Sequence, residues 1–478
     1  MKKTVVILMV LYYLSTFLCS AQSHKLFGMT QRGGTNGIGT IFKINEDSSG
    51  FQVVYSFDSL TGYSPLGTFI QATNGKLYGV TEYGGLYNNG VLFSFDPVTY
   101  SYINLHNFNY DSIDGYYPWA GVIQASNGRL YGTCIAGGTY GFGIIFSYDI
   151  SLNNYSILHN FNTPTGSDPS YSGRLFQGIN GKLYGMTEFG GITSEGEIFS
   201  FDITNNTYDT LFNFNSFNNN GYNPIGGIIQ ANNGKLYGMT SIGGQANRGT
   251  LFSYDLSATS FTDLYYFGYQ NITSSHSWST LLQASDGLLY GNNGDGQIYG
   301  VLFSFNPDSN ILTARHFYDG NNGRSPINNS LIQGSGGMIY GMTHIGGNTN
   351  SGVIFSFDPV TNIYSVMHHF DGINGKKPEG DLVEVSFTTS IDEKVNENKQ
   401  SSINISPNPA SAILNIHHST CTSQETLLIT DLLGTEVYKE TLTGIDNTIS
   451  ISTWSAGIYF YEVRGEKESI RGKFVVQK

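Results

Sequence analysis

A glycine that follows an aromatic residue recurs along most of this chain at an almost constant interval. It stands at Gly28, Gly79, Gly132, Gly185, Gly238, Gly291 and Gly341, so the spacings are 51, 53, 53, 53, 53 and 50 residues. The words around it repeat as well: "NGKLYGVTEYGG" at 74–85, "NGKLYGMTEFGG" at 180–191 and "NGKLYGMTSIGG" at 233–244. A motif met once can be a site, whereas a motif met at a fixed period is a building unit whose residues need a structural reason first.

One unit can be read over 66–108. "LGTFIQA" is a short apolar strand, and Asn74-Gly75 is the pair favoured in a two-residue hairpin where both positions take positive φ. "KLYGVT" is a second strand, and the glycine-rich "EYGGLYNNG" leads to a third, "VLFSFD". Asp96 and Pro97 turn the chain into a fourth strand, "SYINLHNF". In the third strand Val91, Phe93 and Phe95 point one way and Leu92 the other, so it belongs in a sheet covered on both faces. Four short strands per unit of about 50 residues is the pattern of propeller blades.

The ends complement each other. The first copy begins at Lys25 inside its second strand, and "EGDLVEV" at 379–385 is a first strand with no partner after it. Joined, they complete one more sheet and remove two edges open to aggregation. The reading is an all-β chain: a seven-bladed β-propeller over 25–387, closed by both termini, followed by a linker (388–402) and a small β-sandwich (403–478). Composition agrees, with 33 Tyr, 31 Phe and 60 Gly among 478 residues, since aromatic residues suit strands and glycines suit tight turns.

The chain opens with two lysines, an apolar run over 4–18, and small residues at Cys19 and Ala21, the layout of a secretory signal cleaved after Ala21. About 15 apolar residues fall short of the roughly 20 that span a bilayer, so no transmembrane segment is expected in the mature chain. Loss of the two lysines moves the formal charge from −13 to −15. Such an acidic surface repels phosphate backbones and argues against nucleic acid as a partner. Cys134 and Cys421 alone remain, far apart, so neither a disulfide framework nor a CxxC zinc site is expected.

The whole-unit pattern "KLYGMTEYGG…GVLFSFDP…LHNF…G…P…LIQA" resembles the GloVer tandem repeat of bacterial surface and exported proteins. That resemblance covers nearly all of 25–387 and implies no general biochemical activity. Kelch repeats share the period and a Gly-Gly pair, but the downstream Trp of kelch is missing. In the tail, "ISPNPA" (405–410), "DLLGTEVY" (431–438), "SAGIYFYEV" (455–463) and "GKFVVQK" (472–478) resemble the type A sorting domain of type IX secretion. This resemblance implies engagement of the type IX machinery, passage across the outer membrane, removal of the domain, and often attachment to surface lipopolysaccharide.

In a propeller, the Gly-rich loops share one face with the connections between blades, such as "FDSLTGYSP" and "FNYDSIDGYYPWAG". Variable loops on one side make that side the candidate binding surface. It carries Tyr87, Tyr116, Tyr117, Trp119, Tyr140, His276 and Trp278. Rings beside Asn and Asp suit sugars, which stack and hydrogen-bond, and suit protein partners equally. Asp58, Asp111, Asp114, Asp319 and Asp371 lie beside glycines in the connections, where they serve as turn formers or as oxygen ligands for calcium. No other cofactor is expected. His106, His159 and His368 hold equivalent fourth-strand positions, which argues for surface or packing roles instead of a shared metal. No HExxH, GxSxG, P-loop or sialidase-type box is present. The unit at Gly291 departs most, reading "LLYGNNGDGQIYG" after "GYQNITSSHSWST".

The functional reading is an exported cell-surface or secreted binding or adhesion module for a glycan or a protein. The alternative is an extracellular polysaccharide-acting enzyme or a quinone-dependent oxidoreductase on the same scaffold, since fold alone does not choose. Non-repeating ionisable residues at the mouth of the axis would favour the enzyme, and an aromatic, charge-poor patch the binder.

Overall fold

The structure, a computed structural model, describes residues 22–110, 113–169, 173–218, 220–268, 278–294, 299–327, 330–388, 403–406, 410–418, 425–431, 435–442, 444–464 and 469–477. The expected signal (1–21) and the linker from 389 to 402 lie outside them. The chain divides into two compact units, Met1–Thr389 and Ser390–Lys478. Among the described residues both are built from strands, with two single-turn 3-10 segments, Thr163–Thr165 and Ser216–Asn218.

In the first unit each recurring glycine sits in its own antiparallel sheet. In the second sheet the order is Ile70–Gln71, Leu77–Thr81, Val91–Phe95 and Tyr102–Asn107, and the other sheets repeat it. The first sheet draws on both ends of the unit. Val383–Thr388 pairs antiparallel with Gln22–Arg32, placing Val385 opposite Lys25 and Val383 opposite Phe27. The closing strand therefore runs three residues further on than 379–385, and Leu382 turns into the core beside Gly28.

The recurring glycine has a steric cause. It lies directly opposite the central Phe of the third strand in every sheet, as in Gly79↔Phe93 and Gly185↔Phe199. A Cβ on Gly185 would meet Phe199 Cζ at 2.4 Å, and a Cβ on Gly132 would meet Phe146 Cζ at 2.5 Å. The ring lies over the bare backbone and is fully buried, so any side chain there displaces it.

The Asn-Gly turn differs from the two-residue hairpin. Gly75 alone takes positive φ (80°), while Asn74 does not. Ala72 N bonds to Lys76 O and Gly75 N to Ala72 O, which makes a three-residue loop with glycine in the left-handed position. Asn74 is kept for its side chain: its Nδ2 donates to Tyr78 Oη at 2.8 Å and its Oδ1 accepts from Lys76 N. Its counterparts Asn127, Asn180 and Asn233 bond Tyr131, Tyr184 and Tyr237 in the same way.

Consecutive sheets share buried clusters. Val91, Phe93 and Phe95 pack on Phe27, Met29 and Ile41 of the first sheet, while Leu92 packs on Val122 and Ile144 of the third. The sequence of clusters continues to the seventh sheet, where Tyr340, Met342 and Ile354 pack on Leu26, Phe42 and Leu382 of the first. At the outer strands, rings stack across the same boundaries. His106 lies 3.8 Å from Tyr155, His159 4.2 Å from Tyr208, Phe212 4.1 Å from Phe261, His316 3.7 Å from Tyr364, and His368 3.6 Å from Phe51. The recurrent histidines are therefore packing groups. Burial pushes His159 and His368 down to about 4.

The glutamine of "IQA" forms a further inter-sheet link. Gln124 Oε1 accepts from Thr73 N of the second sheet (2.8 Å), and its Nε2 donates to Gly128 O of its own hairpin. Gln177, Gln230, Gln283 and Gln333 repeat this bridge to the sheet before them. In the closing strand Glu384 takes the place of the glutamine and accepts from Ser335.

The second unit has two sheets, Ile403–Ser406, Ile413–His418 and Asp446–Ser450 in one and four strands led by Glu425–Thr430 in the other. Leu414, Ile416, Leu427, Ile429, Val463 and Phe474 bury a shared core between them.

Two outcomes follow from this packing. Gly185→Ala should lower stability by about 1–3 kcal/mol through overpacking, and Phe199→Leu in the same chain should recover part of it, read by urea denaturation. The neutral imidazoles of His159 and His368 support the fold fully above about pH 6.5, their unfolded value, and that support is lost as pH falls toward 4. The double variant His159→Phe and His368→Phe copies the ring that Phe212 places at this position, and should therefore lose less Tm than the parent between pH 7 and 4.5.

Candidate binding face

The Gly-rich loops and the inter-sheet connections are joined by backbone bonds. Gly85 N donates to Ser59 O, Gly138 N to Asp114 O, Gly191 N to Thr163 O and Gly347 N to Gly320 O, at 2.8–3.0 Å. Both Gly84 and Gly85 take positive φ, and a Cβ on Gly84 would strike Gly62 of the connection at 2.6 Å. The paired glycines let the two loops touch and form one surface.

Where each connection enters its sheet, a residue with left-handed φ precedes a proline: Ser64, Tyr117, Asp168, Asn223, Ser325 and Lys377, with φ of 52–57°. Proline disfavours helical conformations in the residue before it, so this backbone is strained and must be held from outside. The hold is a backbone bond to the previous sheet. Ser64 N donates to Ile38 O, Tyr117 N to Asn89 O, Asp168 N to Phe142 O, Asn223 N to Glu195 O, Ser325 N to Tyr299 O and Lys377 N to Ser351 O.

On the second and third sheets these loops assemble an aromatic ledge. Tyr117 has Tyr116 at 5.0 Å, Tyr83 at 5.4 Å and Trp119 at 6.2 Å, Tyr83 stacks on Tyr63, and Tyr110 lies 5.0 Å from Tyr116. Tyr110 is 70% exposed, and Tyr116, Tyr117 and Trp119 are half-buried. Of the residues singled out in the sequence, Tyr117 and Trp119 are thus brought together. Tyr87 and Tyr140 are exposed on the Gly-rich loops of the second and third sheets, and among the described residues no ring contact joins them to the ledge. Trp278 lies four residues ahead of the first strand of the sixth sheet (Leu282–Gln283) at the repeat position of Trp119, away from the second and third sheets that carry the ledge. His276 lies outside the described residues.

Carboxyl groups flank the ledge. Glu82 accepts from Ser64 Oγ at 2.8 Å and bonds the Tyr83 hydroxyl, and burial raises it above the usual carboxylate range. Glu379 pairs with His344 Nδ1 at 2.8 Å. Asp381 accepts from Ser330 N at 2.8 Å and meets Arg174 of the fourth sheet at 3.6 Å. On the fourth sheet Ser167 pairs with Phe189 and Pro169 with Thr187, which sets Asp168 opposite Glu188. Burial, and then the Asp168 carboxyl, push Glu188 up to about 7.

The acidic residues noted in the connections work as turn formers. Asp58 Oδ1 accepts from Leu60 N and Thr61 N, and Asp371 Oδ1 from Ile373 N and Asn374 N. Asp319 Oδ1 accepts from Asn322 N, and Asp114 bonds His106 and Gly115 N. Asp111 lies outside the described residues. Among the described residues no three His, Cys, Asp or Glu side chains form a metal-ligating group. The departure at Gly291 is an internal exchange: Asn292 stands for Met and Tyr318 for Phe, and the Tyr318 hydroxyl bonds Asn292 Oδ1 at 2.9 Å inside the core.

Tyr63, Tyr83, Glu82, Asp168, Glu188, Glu379 and Arg174 escaped the sequence reading. A signal existed for two of them. The residue after Met-Thr or its equivalent varies from unit to unit (Gln31, Glu82, Ile135, Glu188, Ser241, His344) while its neighbours repeat.

The profile described as Gloeobacter/Verrucomicrobia repeat matches residues 15–226 and 171–391, and that described as secretion system C-terminal sorting domain matches 404–477. No protein of curated function matches the chain. Among solved structures, PorZ, an essential bacterial surface component of the type-IX secretion system of Porphyromonas gingivalis, is 14% identical with a TM-score of 0.42. The alignment covers 95% of this chain, which spans 58% of PorZ. A putative 6-phosphogluconolactonase from Bacteroides uniformis is 15% identical over 76% of this chain and 99% of its own, with a TM-score of 0.51. A Mycobacterium tuberculosis puromycin-hydrolyzing peptidase is 10% identical over 83% and 58%, with a TM-score of 0.50. These last two likenesses concern the fold alone. In the described residues no helix is long and apolar enough to cross a membrane. The chain belongs to the Gloeobacter/Verrucomicrobia repeat family, and its C-terminal sorting domain directs it through type IX secretion to the cell surface or the extracellular space.

Proposed function

We propose that the first unit is a closed seven-bladed β-propeller acting as a surface binding or adhesion module, with a glycan as its ligand. Closure is supported by the shared cluster of the seventh and first sheets, by the His368–Phe51 stack, and by pairing of the two ends of the unit. Arg174 adds to this, since it reaches from the fourth sheet to Asp381 in the first. The observation that carries the binding reading is the aromatic ledge. Rings offset by 5–6 Å present a stepped apolar surface edged by hydroxyl and carboxyl groups, the chemistry that sugar C–H faces and hydroxyls require.

The enzyme reading draws on the ionisable groups of the same rim, Glu82, Glu379, His344, Asp168 and Glu188. Most of these are engaged in bonds within the protein, which favours positioning roles over catalysis.

The test is a glycan array and polysaccharide pull-down with the full chain, with and without calcium, each bound polymer being assayed for shortening. Binding without shortening is expected. Tyr117→Ala and Trp119→Ala should each weaken it roughly tenfold, as loss of an aromatic anchor does. Shortening would replace this reading with an enzyme, and silence across the array with a protein partner.

A further inference from the structure

The ledge is bordered on both sides by acid. Tyr83 hydrogen-bonds Glu82 on the second sheet, and Tyr116 lies within electrostatic reach of Asp168 on the fourth. Asp168 and Glu188 face each other across an antiparallel pair, an arrangement that repels when both are charged. Arg32 acts on Glu82, but among the described residues no Lys or Arg lowers Asp168 or Glu188. The remaining influence on Glu188 is a hydrogen bond with Asn223. Among the described residues, then, two opposed carboxyls stand beside half-buried rings with no cation set against them, in a chain of formal charge −13.

We propose that the glycan held on this ledge carries free amino groups, its ammonium lying between the ring faces of Tyr116 and Tyr117 and the carboxyls of Asp168 and Glu188. This rests on the glycan-binding reading above and narrows it. A cation over an aromatic face gains from the ring quadrupole, and more where carboxylates stand behind it. Neutral sugars stack equally well but leave the opposed carboxyls unmatched. Acidic sugars meet repulsion from Glu82, Asp168 and Glu188 together. Near pH 7, where Glu188 titrates, its carboxyl proton can pass to a neutral amine on binding, so the ion pair forms whichever group brings the proton.

The test is calorimetric titration of the full chain at pH 7 with a chitosan oligosaccharide and with its fully N-acetylated counterpart of equal length. Binding of the amine form at least tenfold tighter is expected. The variant Asp168→Asn with Glu188→Gln should abolish that preference, so that the two oligosaccharides then bind the variant with equal affinity. Asn suits position 168, since Asn223 holds the same left-handed φ of 52°. An unchanged Tm for the variant separates lost affinity from lost fold. Equal affinity for the two oligosaccharides, or a preference that survives the double variant, would overturn the amine assignment and leave glycan binding standing. If neither oligosaccharide nor any arrayed glycan bound, the reading beneath it would fall as well.

Discussion

A phenylalanine ring lying over a glycine is the contact on which the rest of the first unit depends. In each of the seven sheets that carry the recurring glycine, the central Phe of the third strand covers the glycine of the second, with no room for a Cβ between them. Burying each ring contributes about 2–3 kcal/mol, and the bare glycine lets it lie flat against the backbone. That posture brings the sheet close enough to its neighbour for the shared clusters to form. The glycine is costly in an isolated strand, and packing of the Phe offsets the loss.

The sheets are then held together by polar links as well as by the core. Near the hairpins, glutamine bridges one sheet to the turn of the one before. On the opposite face, backbone bonds fix six strained residues ahead of prolines, and at the outer strands rings stack from sheet to sheet. The closing strand is the exception that shows the logic. It has no hairpin of its own, so Glu384 keeps the bridge to Ser335 in the turn of the seventh sheet and meets His24 (3.4 Å) where the glutamines reach their own hairpin. A candidate binding face built on such a frame is preorganised, because Tyr117 is held by its own backbone before any ligand arrives.

Much of the scaffold was legible from the repeat. The period, the four strands, the two-sided third strand and the complementary ends could all be read, since each is a local pattern or a count. The hairpin was misread because Asn-Gly serves two turn types, and the choice between them lies in whether Asn74 spends its side chain on Tyr78. The fourth-strand histidines were legible as surface or packing residues, and only their stacking partners, one unit further on in most cases, decide for packing. Tyr117 and Trp119 could be named from their loop position and chemistry, whereas Asp168, ahead of a proline, looks like a turn former in sequence, and Glu82 and Glu188 show there only as a varying position within the repeat.

The sequence by itself determined that the chain is an exported repeat protein of strands with a sorting domain behind it. Periodicity, turn residues and the words of the tail are all properties of residues close together in the chain. Only the tertiary structure decided which residues meet. Rings at 83 and 117 meet because successive sheets stack, carboxyls at 168 and 188 meet across a strand pair, and stacking is set by the glycine–phenylalanine contact inside each sheet. Local sequence fixes each sheet, but the distance from one sheet's loops to the next is written only in how their cores pack.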